Sequence, residues 1–323
     1  MKRNIALIGA GYWGKNHLRN LYQLGLLHSV LDKSEKITAE LKVDFPDINF
    51  ISDEKKIIDN PEVKAVVIAV PAILHYSITK KFLLSGKDVL VEKPLSLTVK
   101  EGEELVRIAE KNNRILMVGH ILQYHPAVIK LKELVVKKEL GDVRYIYSNR
   151  LNIGKLRTEE NVLWSFAPHD ISLILMLMGN KVPEKIYAVG GAYVNKKIYD
   201  TTITIFEFEN SVKAHLFVSW LHPYKEQKLV VVGSKKMAVF DDISEEKLFI
   251  YPHEIKLEDG KIPVVHRADY ITVDFVPGQP LKEELLHFSE CVSSRKLPKT
   301  DGREGLRVLK ILEMAEKSLQ TGA

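Results

Sequence analysis

The chain opens on a short, nearly all-apolar run, Asn4–Ile8, which breaks into a glycine-rich turn at Gly9–Gly14. Lys15–Leu27 follows, with apolar residues recurring at helical spacing. The alternation then repeats. His28–Leu31 predicts a second strand closed by Asp32, Ser34–Asp44 a helix, Ala65–Val70 a buried strand and Ile73–Ser85 a helix stopped by Gly86. Asp88–Val91 and Ile115–Val118 predict two further strands. The helix between them starts at Thr98, with Glu101 three residues on completing a capping box. Apolar strands that each lead into a helix predict a doubly wound parallel sheet covered on both faces.

After Pro126 the period changes. An amphipathic helix over Pro126–Glu139 precedes Val143–Ile153, Lys185–Val194, Thr201–Phe208, Val212–Trp220, Lys228–Val232, Met237–Phe240 and Lys247–Tyr251, which read as strands, several with two-residue alternation. One helix interrupts them over Pro168–Met178, and two more close the chain near Leu281–Ser294 and Gly302–Leu319. The expected fold is α/β: an N-terminal Rossmann doubly wound parallel sheet over 1–122, then a C-terminal α+β domain over 123–323 with a large, mostly antiparallel sheet. The open face of such a sheet often pairs with a second subunit, so a homo-oligomer, dimer or tetramer, is expected.

Composition agrees with this picture. The 323 residues exceed what one hydrophobic core sustains, and 46% apolar with 28% charged residues is ordinary for a soluble protein. No apolar run approaches the roughly 18 residues of a membrane span, and the opening lacks the pattern of a signal peptide, so a cytoplasmic protein that binds no membrane is expected. The single cysteine, Cys291, rules out an internal disulfide and a cysteine metal site, and its apolar helical surroundings predict a buried thiol. The net charge of +5 comes from lysines interspersed with glutamates, without a basic stripe; this argues against a nucleic-acid partner and suits an anionic cofactor and substrate. The 11 histidines show no metal-ligand spacing, and no GxSxG nucleophile occurs, so hydride transfer without a metal is expected.

Gly9-Ala10-Gly11-Tyr12-Trp13-Gly14 is a GxGxxG turn between a strand and a helix, the context in which it binds a dinucleotide. Gly9 permits the tight turn, Gly11 lets the backbone approach the pyrophosphate, and Gly14 lets the helix pack closely on the strand. Tyr12 and Trp13 lie within the same turn. Asp32 ends the second strand 18 residues after Gly14, where an acid accepts from ribose hydroxyls and repels a 2′-phosphate. The expected cofactor is therefore NAD, a preference that the neighbouring Lys33 softens. Val70 and Pro71 follow a buried strand and lie along the cofactor crevice; His75 either helps close it or is a helix-cap or solvent-facing histidine. Glu92-Lys93-Pro94 sits at the ligand-binding edge of the sheet, or forms a surface ion pair.

Together these features resemble the Gfo/Idh/MocA family of oxidoreductases over essentially the whole chain. The resemblance implies that Lys93 contacts both the nicotinamide and the reacting hydroxyl, and that Glu92 and Gln123 belong to the cofactor site. Gln123, in GHILQYHP (119–126), stands where the family commonly has an arginine. In Trp164-Ser165-Phe166-Ala167-Pro168-His169-Asp170, His169 matches the family's catalytic histidine; Ser165 replaces the usual aspartate, and Asp170, the acid that follows directly, is expected with Lys93 and His169 among the catalytic residues. A lysine near pKa 10.4 needs about 4–5 kcal/mol to be neutral at pH 7, whereas histidine titrates near 6.5, so His169 is the cheaper base and Lys93 the electrophile. Pro168 is expected at the first position of its helix, which would place His169 where the helix dipole keeps an imidazole neutral.

Arg150, Lys155 and Arg157 put three cations in the run towards His169, suited to a diphosphate or forming a solvated basic loop. GYWGKNHLRN (11–20), NRLNIGKLRTEENVLWSFAPHDIS (149–172) and SWLHPYKEQKLVVVGSKKMAVFDD (219–242) resemble the nucleotide-sugar branch of the family, and within it the members that oxidise the C3 hydroxyl of UDP-N-acetylglucosamine. The implied substrate contacts are Arg150, Asn152, Arg157, Trp164, His222 and Lys225. Oxidation of UDP-N-acetylglucosaminuronate or of another sugar or inositol, or an NAD-dependent glycosidase activity on the same fold, are the alternatives.

Overall fold

A computed structural model describes residues 3–154 and 156–322, with the backbone alone at 257 and 258. Contacts divide the chain into two units, residues 1–124 with 278–310 and residues 125–277 with 311–323.

The first unit runs β1 (Ile5–Ile8), α1 (Gly14–Gln23), β2 (Leu27–Leu31), α2 (Glu35–Asp44), β3 (Asn49–Ile51), α3 (Lys55–Ile58), β4 (Ala65–Ile68), α4 (His75–Leu84), β5 (Asp88–Glu92), α5 (Val99–Lys111) and β6 (Leu116–Gly119). The six strands are parallel in the order β3-β2-β1-β4-β5-β6. The strand order reverses between β1 and β4, where ligands bind in open α/β sheets. Successive strand residues point to opposite faces. Ile5, Leu7, Val67 and Leu90 pack with Leu18 and Leu21 of α1, while Ala6, Ile8, Val66 and Val89 pack with Phe82 of α4 and Leu105 of α5.

The second unit holds α6 (Pro126–Val136), β7 (Val143–Ile153), α7 (Val162–Leu177), β8 (Lys185–Gly191), β9 (Thr201–Glu207), β10 (Lys213–Ser219), β11 (Leu221–Gly233), β12 (Met237–Asp241), β13 (Leu248–Tyr251), β14 (Glu254–Glu258), β15 (Ile262–His266) and β16 (Ile271–Thr272). Eight strands form one sheet, β16-β13-β12-β11-β7-β10-β9-β8, antiparallel except for the parallel pair β7–β10; β14 and β15 form a separate ribbon. The short β3, α3 and β14–β16 were not expected from the sequence pattern.

Two helices close the chain, α8 (Pro280–Ser294) and α9 (Gly302–Thr321). The sequence division leaves α8 in the second domain. In the structure, Leu281, Leu285, Phe288, Cys291 and Val292 join Leu18, Leu21 and Tyr124 in the core of the first unit, where α8 packs beside α1 and the turn at Ile121–Tyr124. Cys291 is buried there, and burial pushes its thiol up to about 11.

α7 corrects a second expectation. It starts at Val162, not at Pro168: Asn161 caps it, its side chain accepting from the Trp164 N–H at 3.2 Å, and Pro168 lies inside. A helix-interior proline cannot bond the carbonyl four residues back and costs about 3 kcal/mol. His169 is thus the eighth residue of the helix, and the dipole argument for its neutrality does not hold.

Among the described residues, no helix is long and apolar enough to cross a membrane, and no three His, Cys, Asp or Glu side chains gather as a metal site.

Candidate active site

The dinucleotide turn has the backbone that its glycines predict. Gly9 lies at φ +88°, and a Cβ there would stand 2.6 Å from the Ala69 carbonyl oxygen at the end of β4. A Cβ at Gly14 would fall 2.2 Å from the Gly9 carbonyl oxygen, whereas one at Gly11 would meet nothing within 4 Å. The chain is therefore tight on two sides of the turn and open above Gly11, the form that holds a pyrophosphate. Asp32 braces the turn: Oδ2 accepts from the Ala10 N–H at 2.7 Å and Oδ1 from Ser34 N–H at 2.8 Å. Each carboxylate oxygen retains a lone pair for a ribose hydroxyl. These residues fit NAD. Tyr12 projects almost wholly into solvent.

Glu92 is a hub and not a surface acid. Its Oε1 accepts from Trp13 Nε1 at 2.5 Å and His17 Nε2 at 2.6 Å, and its Oε2 from the Lys93 N–H at 3.3 Å. Burial raises the pKa of the carboxyl, but His17, Trp13 and Lys93 outweigh it and hold it below the usual range. Glu92 thereby ties the glycine turn to the Lys93 loop. His75 does the same from the other side. It is buried, with Nδ1 2.6 Å from the Pro94 carbonyl oxygen and Nε2 2.9 Å from that of Val70, so it stands between the Val70-Pro71 loop and the Lys93-Pro94 loop. Burial lowers its pKa against the pull of those carbonyls. Gln123 is buried and donates to Glu304 Oε1 at 3.0 Å, beside His120 Nδ1, which lies 2.6 Å from Glu304 Oε2.

In the second unit, Asp170 is buried and accepts from Arg150 Nε at 2.6 Å and from Ser148 Oγ at 2.6 Å. Arg157 is half exposed and pairs with Glu160 at 2.7 Å. Trp164 donates its indole N–H to Glu316 at 3.2 Å, and Asn161 donates to the same carboxylate oxygen at 2.8 Å. Asn152 Oδ1 and Trp220 Nε1 are buried polar atoms without a partner among the described residues. His222 donates through Nδ1 to the Tyr224 carbonyl at 2.9 Å, and Lys225 is exposed on β11. Ser165 is buried one turn before His169. Lys155 lies outside the described residues.

Sequence reasoning missed His17, Glu284, Glu304 and Glu316. Glu284 left a signal: it interrupts the apolar stripe of α8 at 281, 285, 288 and 292. It is fully buried, and neither carboxylate oxygen has a hydrogen-bond partner among the described residues. Burial, with the charge of Glu92 behind it, pushes its pKa well above the ordinary carboxylate value.

A Rossmann unit whose crevice fits NAD, followed by a unit built on an eight-stranded sheet, defines an NAD-binding oxidoreductase. Residues 3–120 match the oxidoreductase family with an NAD-binding Rossmann fold, and residues 128–239 match the GFO/IDH/MocA C-terminal domain. The chain belongs to the Gfo/Idh/MocA family, as the motifs implied. It is 26% identical to UDP-N-acetylglucosamine 3-dehydrogenase of Acidithiobacillus ferrooxidans over 94% of this chain and 93% of that one. Crystals of that enzyme give a TM-score of 0.86 at 24% identity, covering 99% and 98% of the two chains. Myo-inositol 2-dehydrogenase of Thermotoga maritima is 24% identical over 98% and 96%. A 2,7-anhydro-N-acetylneuraminate hydratase of Mediterraneibacter gnavus is 27% identical over 86% and 80%.

Proposed function

We propose that this oxidoreductase oxidises the C3 hydroxyl of a UDP-linked sugar, UDP-N-acetylglucosamine above all, using NAD. The observation that carries this reading is the similarity across both domains to the A. ferrooxidans 3-dehydrogenase. Bound NAD supplies the hydride acceptor. Asp32 sets the preference for NAD over NADP, since its carboxylate repels a 2′-phosphate. His169 takes the proton of the reacting hydroxyl, and the Lys93 ammonium stabilises the oxygen as charge develops on it. Glu92 and His75 position Lys93 from the two flanking loops. Arg157 and Lys225 are cations for the diphosphate; Asn152, Trp164 and His222 contact the rest of the substrate.

The test is NADH formation from NAD with UDP-N-acetylglucosamine, beside wells holding its uronate, UDP-glucose and myo-inositol. NADH with the first substrate, and much less with NADP than NAD, is the expected result; NADH from the uronate or inositol alone moves the assignment to that substrate. Lys93→Ala and His169→Ala are expected to bind NAD normally and to lose at least about 100-fold in kcat. Turnover intact in both variants removes their assignment. The similarity to the hydratase favours a second reading, transient oxidation without net redox change, which would appear as sugar conversion without NADH.

We further infer that the protein self-associates through the open face of its eight-stranded sheet. On β9, Thr202 and Thr204 are turned to the covered face while Ile203 and Ile205 are exposed by 39% and 43%. Ile203 pairs with Val189 and Phe217, and Ile205 with Tyr187 and His215, so one outward apolar band crosses three strands. A solvated sheet face carries the opposite pattern. The same patch on a second copy is a self-complementary partner.

A further inference from the structure

The turn of α7 that carries His169 is weakened by its own sequence. Pro168 offers no N–H to the carbonyl of Trp164, and its ring crowds that carbonyl. One residue past His169, Asp170 fastens the helix to the sheet. Its Oδ2 accepts from Arg150 Nε at 2.6 Å; its Oδ1 accepts from Arg150 NH2 at 3.2 Å and from Ser148 Oγ at 2.6 Å. Ser148 and Arg150 are alternate residues of β7 and reach the same side. Ser148 Oγ also lies 3.1 Å from the Lys228 carbonyl oxygen on β11.

A third N–H of the guanidinium is committed on the other side. In the amide orientation that its neighbours require, Gln227 accepts from Arg150 NH1 at 3.3 Å and donates to Asp242 Oδ2 at 3.1 Å. Beyond it, Asp242 stands 3.9 Å from both His125 Nε2 and Lys247 Nζ. Burial opposes the charge of Arg150, but Asp170 outweighs it and holds the guanidinium above the ordinary arginine value. A phosphate ligand needs a presented fork; this fork is spent on a buried carboxylate.

We propose that Arg150 is a positioning residue, the internal counter-ion of Asp170, which holds the His169 turn of α7 and is not a phosphate ligand. Asp170 in turn is the anchor of that turn and not a second base. This rests on His169 as the base. Removing one partner leaves an uncompensated buried charge one residue from the imidazole.

The test is a histidine NMR titration of the full-length protein, with the His169 resonance assigned by its loss in His169→Ala. Arg150→Met is expected to raise the His169 midpoint by at least about half a pH unit, and Asp170→Asn to lower it; the double variant is expected to return close to wild type. In steady state, Arg150→Met is expected to lose at least about tenfold in kcat, with KM for UDP-N-acetylglucosamine within about threefold. Arg150→Lys, which keeps the charge and loses the fork, is expected to keep the midpoint and lose kcat; it serves if the methionine variant does not fold. An unmoved midpoint with a KM raised tenfold or more and kcat intact would overturn the proposal and make Arg150 a substrate ligand. Retained turnover in His169→Ala sinks the base assignment instead, and the midpoint shifts stand or fall independently of it.

Discussion

At the scale of single residues, the first unit separates two buried carboxyls by their surroundings. Glu92 is held below the usual carboxylate range because three donors converge on it; Glu284 is pushed above that range because none does. The charged and titratable groups that interact with Glu284 are Glu92 at the end of β5 and Tyr124. In the unfolded chain Glu284 titrates near 4.3, and in the folded protein well above that. The folded state therefore holds a proton that the unfolded state gives up, so stability is intact below about pH 4 and declines as pH rises towards the folded value. Glu284→Gln keeps the shape without the proton. Its Tm is expected to match wild type near pH 4 and exceed it by about 2–4 °C or more at pH 8, followed by thermal denaturation. Equal Tm values across that range would mean that Glu284 titrates normally.

The candidate residues for this chemistry are legible in the sequence because they stand in contiguous runs: the glycine turn, Asp32 after β2, Lys93 after β5. Their partners are not. Glu92 and His17 are 75 residues apart and Gln123 and Glu304 are 181 apart, separations that no local pattern reports. Arg150 and Asp170 were read as independent functional groups because composition shows charges and not which of them are already neutralised.

At the scale of elements, periodicity found the strands that show one face to a core but not always their length: β11 is expected over Lys228–Val232 and runs over Leu221–Gly233, its first half being half-exposed and polar. Val143–Ile153 was bounded as it stands in the structure, and Thr98 caps α5 as read, its side chain accepting from the Glu101 N–H at 3.2 Å. The start of α7 failed for a physical reason. The rule that proline favours the first turn is a rule about missing donors, and a strong cap upstream overrides it. Asn161 both caps the helix and donates to Glu316, so the start is fixed at Val162, six residues before Pro168. Asn161→Ala is expected to cost about 1 kcal/mol and to lower Tm by about 2–4 °C. An unchanged melting curve would point to a helix that begins further on.

At the scale of the whole molecule, the division into units could not be read from order along the chain, since α8 returns to the first core and α9 begins in one unit and ends in the other. The sequence points to an open sheet face, but the residues of the proposed self-association surface could not be named until neighbouring strands were in register. Sedimentation at micromolar concentration is expected to show a dimer or larger for the wild type, and monomer for Ile203→Lys combined with Ile205→Lys. A monomeric wild type would retire the sheet face as an interface.

The outward isoleucines of β9 also bear on how the chain reaches its native register. A slip of one residue would turn Ile203 and Ile205 inward and Thr202 and Thr204 outward, the arrangement that an isolated subunit prefers. The native register is held from its ends, where the Trp220 N–H bonds the Asp200 carbonyl and the Phe208 N–H bonds the Val212 carbonyl across a turn with Asn210 and Ser211 at φ +59° and +62°. Refolding yield should therefore rise with protein concentration over the range in which subunits meet before the slipped hairpin sets, the reverse of the trend that aggregation imposes.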